Sequence, residues 1–131
     1  KNQLFSSVQI WRKRNELMVH WSTPLFFEGN LYGIFGFKEY GKAPLQCVDL
    51  ISGKIRWSQP WFGPGNLIRS GNKLLVLSDH GELVIAGANP KKYIELERKK
   101  ILSGKCWSTP ILGNNILLAR STQEAVALPV R

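Results

Sequence analysis

The chain has 131 residues, 44% of them hydrophobic, which is enough for one domain with its own core. No apolar run reaches the roughly 18 to 20 residues a membrane-crossing helix needs, and no leader pattern of basic start, apolar middle and small-residue cleavage site is present. Eighteen basic residues against nine acidic ones favour acidic partners. They come without a nucleic-acid motif or interleaved aromatic residues, so nucleic-acid binding is not expected.

The chain opens on Lys1 rather than Met, which predicts trimming or a longer parent. The stretch SVQIWRKRNELM predicts a strand over 7–12 that closes a preceding unit near Trp11. Basic residues gather at Lys1, Arg12, Lys13 and Arg14, and again at Lys91, Lys92, Arg98, Lys99 and Lys100. The simpler reading of both groups is a solvated strand face with a basic turn. Further strands are expected near 23–27, 31–37, 44–50 and 54–59, then near 66–70, 73–78, 82–87 and 92–100, and finally near 109–112, 116–120 and 124–129. Ser52-Gly53 and Asp79-His80-Gly81 supply turn formers between them. Tyr93–Leu102 has helical propensity, but its place as the last strand of a unit argues for a strand. No helix is expected.

Gly-Asn pairs at Gly29-Asn30, Gly71-Asn72 and Gly113-Asn114 recur at a spacing of 42 residues, each between two apolar runs. Such pairs adopt positive φ readily and mark hairpins. WSTP occurs at Trp21–Pro24 and again at Trp107–Pro110, 86 residues later. Two periods of 42 fall short of that offset, which predicts an insertion or deletion somewhere between the markers. A repeat of this length made of four short strands is the signature of a propeller blade. The expected fold is all-β: a single domain over residues 1–131, made of about three four-stranded blades of a β-propeller. The chain opens on an outer strand and its last unit is one strand short. Three blades are too few to close a ring, so either the blades belong to a larger propeller or copies assemble into one ring as a homo-oligomer.

Residues 47–57, CVDLISGKIRW, are similar to the tryptophan-docking repeat of quinoprotein-like propellers, with Asp49, Gly53, Lys54 and Trp57 in the matching places, Ser52 for Thr and Cys47 for Ala. Residues 22–37 and 74–87 resemble the first and second hairpins of the same blades. The chain resembles the bacterial proteins with quinoprotein-like repeats that are grouped with BamB of outer-membrane assembly. That resemblance implies a binding scaffold, and a periplasmic or cell-surface location. It implies as partner either another protein or further blades of the same propeller. The alternative it leaves open is a fragment of a pyrroloquinoline quinone (PQQ)-dependent dehydrogenase, which would bring that quinone and calcium.

The four residues also have a physical logic of their own. Asp49 can accept backbone N–H bonds across the following turn, Gly53 supplies positive φ, and Trp57 can wedge its ring between neighbouring units. They are expected to hold the fold rather than a ligand. No catalytic, cofactor-binding or metal-ligating residue is assigned. The acidic residues Glu16, Glu28, Glu39, Asp49, Asp79, Glu82, Glu95, Glu97 and Glu124 have no calcium-loop spacing. His80 reads as a solvated turn residue, while His20 could face a central channel. Cys47 and Cys106 match no metal spacing and are expected as buried free thiols, although a count of two permits a bridge.

Overall fold

The computed structural model describes residues 5–36, 43–60 and 62–131. Lys1, Glu39 and the end of the strand expected over 31–37 lie outside these residues. Among the described residues there are eleven strands and no helix. The first sheet is a meander of β1 (Leu25–Phe27), β2 (Asn30–Ile34), β3 (Leu45–Asp49) and β4 (Ile55–Gln59). The second repeats that order with β5 (Gly65–Ser70), β6 (Lys73–Ser78), β7 (Glu82–Gly87) and β8 (Glu95–Lys100). The third has β9 (Ile111–Gly113), β10 (Ile116–Arg120) and β11 (Ala125–Pro129). Every pairing between these strands is antiparallel. Apart from the one expected over 7–12, the expected strands are present within a few residues of their predicted ends, and helical propensity over Tyr93–Leu102 is overridden by pairing of β8 with β7.

The strand expected over 7–12 is not formed: residues 5–13 carry no strand assignment. Among the described residues no strand lies beside them to share hydrogen bonds, and an isolated strand has nothing to stabilise it. A length difference between the units is present, since Tyr32 pairs with Cys47 across a longer connection than the one joining the equivalent Leu75 and Ile85, but it is offset elsewhere in the repeat. The first hairpins of the three sheets close on the pairs Phe27↔Asn30, Ser70↔Lys73 and Gly113↔Ile116. Those pairs are 43 residues apart, so the WSTP offset is two full periods. The Gly-Asn pair drifts by one position per unit. The two loop residues are Glu28-Gly29, Gly71-Asn72 and Asn114-Asn115 in turn. Glu28 (φ 46°) with Gly29 (φ 76°), and Asn114 (φ 49°) with Asn115 (φ 59°), take the double positive φ that two-residue hairpins favour.

The sheets stack in chain order, and the inner strands β6 and β7 of the middle one are buried on both faces. Side chains alternate along a strand, and β6 and β7 divide accordingly. Leu74, Val76, Val84 and Ala86 join Tyr32, Ile34, Leu45 and Cys47 of the first sheet in one core cluster. Leu75 and Leu83 pack with Leu117 of the third sheet, and Leu77 with Ala119 and Cys106. Each fully buried aliphatic side chain contributes about 1.5–3 kcal/mol, so the two inter-sheet seams hold the assembly together.

Candidate functional site

The β3–β4 turn is built around Asp49. One of its carboxylate oxygens accepts the Ser52 backbone N–H and hydroxyl, both at 2.8 Å, and the other accepts from the Arg56 guanidinium at 2.5 Å. The Ser52 backbone donor, then its hydroxyl, and with them Arg56, hold the Asp49 carboxyl below its usual range. Gly53 is buried at φ 67°, and its N–H donates to the Asp49 carbonyl at 2.9 Å. Lys54 contributes only its backbone, accepting from the Asp49 N–H at 2.9 Å while its residue stays exposed. Trp57 lies at the seam between the first two sheets. Its indole N–H donates to the Asn89 carbonyl beyond β7 at 2.7 Å, and its ring sits 6.2 Å from Tyr32 and 5.8 Å from Tyr93. Asp49, Gly53 and Lys54 thus shape one turn, while Trp57 reaches across to the next sheet.

Trp11 repeats that reach, which the sequence reading missed. Its indole N–H donates to the Leu50 carbonyl just beyond β3, also at 2.7 Å. The signal was available: Trp11 precedes Trp21 of WSTP by the same ten residues that separate Glu97 from Trp107. Glu97 pairs with Ile85 as Trp57 pairs with Cys47, in each case beside a register shift at the same point of the sheet. Trp11, Trp57 and Glu97 therefore hold equivalent places.

The two WSTP segments also meet. Trp21 and Trp107 stand edge to face with centroids 6.4 Å apart, and the His20 ring lies 4.4 Å from Trp21. Asn66 of β5 ties this end of the sheets together, donating to the Trp107 carbonyl and accepting from the Thr109 hydroxyl, both at 3.3 Å. His80 is an exposed turn residue between Asp79 (3.3 Å) and Glu82 (3.2 Å). Arg98 bridges Glu82 and Glu95 and lies over the Phe62 ring, and the bond from Arg98 holds the Glu95 carboxyl low. The basic residues of β8 form an exposed face, and Lys91 and Lys92 are exposed too.

Cys47 and Cys106 are buried free thiols in separate core clusters. Burial, the largest influence on each, pushes both thiols up, away from the reactive thiolate. Among the described residues no group of three or more His, Cys, Asp or Glu side chains could hold a metal ion. Among the described residues no helix is long and apolar enough to cross a membrane. No protein-family model matches the chain, and no curated protein matches it.

Proposed function

We propose that this chain is a non-catalytic binding scaffold made of β-propeller blades with quinoprotein-like repeats, engaged by a protein partner or by further blades. The observation that carries the reading is the division of the middle sheet, whose strands give alternate side chains to the sheets on either side. Blades stacked around an axis require that arrangement, because each must present one apolar face to the unit before it and another to the unit after. The 43-residue register of the three hairpins and the repeated indole-to-carbonyl bond support the same reading. Asp49, Gly53, Lys54 and Trp57 then serve blade-to-blade docking. The excess of nine positive charges favours an acidic partner surface. A periplasmic or cell-surface location follows from the resemblance to BamB-like proteins.

The competing dehydrogenase reading is tested by adding PQQ with calcium and following the melting temperature. The scaffold reading expects no change. A midpoint that climbs with each tenfold increase in quinone would overturn it, since a ligand that binds only the folded state stabilises by mass action.

A further inference from the structure

Between β8 and β11, at the seam of the second and third sheets, lies a cleft of about 290 Å³ lined by Leu83, Ile85, Glu97, Lys99, Leu128 and Val130 among others. We propose that this cleft is a seat for an aromatic ring, an indole first of all, carried by a partner protein. The protein itself shows what such a seat takes. Trp11 and Trp57 each send an indole N–H to a carbonyl just past the third strand of the following sheet, Leu50 past β3 and Asn89 past β7. The third equivalent place is Glu97, which faces the stretch just past β11, where Val130 lies. A glutamate is too short and too strongly hydrated to fill the space an indole occupies. Among the described residues, an apolar floor of Leu83, Ile85, Leu128 and Val130 is therefore left at the seam where Glu97 stands in the tryptophan's place.

Two features fit an incoming protein ring. Lys99 stands at the wall of the cleft, where an ammonium group favours an aromatic face. The edge of β11 beside the cleft is open: the third sheet ends there, and among the described residues no strand pairs with its outer side. The bonds Ser121 N–H to Glu124 and Val130 N–H to Asn115 fix the alternation of that ladder. They leave the N–H groups of Ala125 and Ala127 pointing to the free edge. The edge of β8 is guarded by Glu95, Glu97, Arg98, Lys99 and Lys100, whereas AVALP of β11 carries no charge. Natural sheets guard true edges with charge, so β11 reads as a strand that receives another. A partner strand added there would lay one side chain into the cleft. That the ring belongs to a protein rests on the scaffold reading; the seat itself does not.

The test titrates N-acetyltryptophanamide into the full chain and follows backbone amide shifts, alongside Glu97→Trp, which supplies the ring internally. Saturable binding at millimolar or lower Kd is expected, with shifts centred on Ile85, Leu128 and Val130. Glu97→Trp should weaken that binding at least about tenfold and raise the melting temperature by roughly 3 °C or more. Glu97→Phe serves as the second filler should the larger ring disturb the fold, and should block the probe as well. No saturable shift up to roughly 10 mM probe, on the weak side of the millimolar scale, overturns the proposal. So does binding that both fillers leave intact. Either failure leaves the scaffold reading standing, since that reading is judged by the quinone titration.

Discussion

Leu75 in β6 and Leu118 in β10 hold the same place in successive sheets, two residues after a hairpin whose register repeats at 43 residues. Leu75 is 1% exposed and Leu118 is 48% exposed. The strands look alike in sequence, KLLVLS against ILLAR, and both turn one face to the preceding sheet. What differs is the other face. The middle sheet has the third sheet behind it, while Ile111, Ile116 and Leu118 of the third sheet have nothing behind them among the described residues. Burial here is set by stacking order and not by the strand's own composition.

The largest effects should come from the seam that is filled. Trp57→Ala removes a ring packed against Tyr32 and Tyr93 together with its bond to Asn89, and urea unfolding should show a loss of about 3–5 kcal/mol. A loss below about 1 kcal/mol would mean that the indole does not hold the sheets together. Next comes Leu75→Ala, with an expected cost of about 3 kcal/mol through the cavity left against Leu117.

Those two residues also mark the limits of the sequence. The strands were legible because Gly, Asn and Ser-Gly turns punctuate runs of apolar residues, and because β8 follows the spacing of its unit despite the helical propensity of YIELERKK. The Gly-Asn markers recur at 42 residues whereas the hairpins recur at 43. The Gly-Asn pair reads as a fixed point of the hairpin, yet Glu28, Gly71 and Asn115 show that the turn slides along the marker wherever neighbouring residues tolerate positive φ or the local geometry a two-residue loop imposes. The equivalence of Trp11, Trp57 and Glu97 is hidden because loops of unequal length put them at unequal spacings along the chain, so no fixed period aligns all three and only the sheet register equates Trp57 with Glu97. Which face of a Leu-rich strand is covered was not legible at all, because it depends on a sheet encoded elsewhere in the chain.

Gly53 offers a smaller effect. Its φ of 67° and its closeness to the Trp11 ring leave no easy room for a methyl group. Gly53→Ala should cost about 1–2 kcal/mol from the left-handed backbone alone, visible as a lowered urea midpoint. A neutral result would show that the turn relaxes without strain. Smaller still, Leu118→Ala should change stability by no more than about 0.5 kcal/mol, which completes the contrast with Leu75. A loss near that of Leu75→Ala would reveal that this face is covered in solution.

The weakest expected effect is a dependence on acid. Asp49 is held below its usual range by the Ser52 donors and Arg56, and Glu95 by Arg98 and Tyr93. A carboxyl that is more acidic when folded binds fewer protons in that state than in the unfolded chain. Its stabilisation is therefore present above the unfolded value of about 4 and fades as pH falls through the lower folded one. Both groups are largely solvated, so screening keeps the effect small. The urea midpoint of the natural chain should fall between pH 5 and pH 3. Asp49→Asn should start lower at pH 5 and lose less over the same interval, because the amide has no charge to surrender. Equal losses in the two chains would show that the β3–β4 turn draws nothing from the charge on Asp49 and is held by Gly53 and the backbone bonds alone.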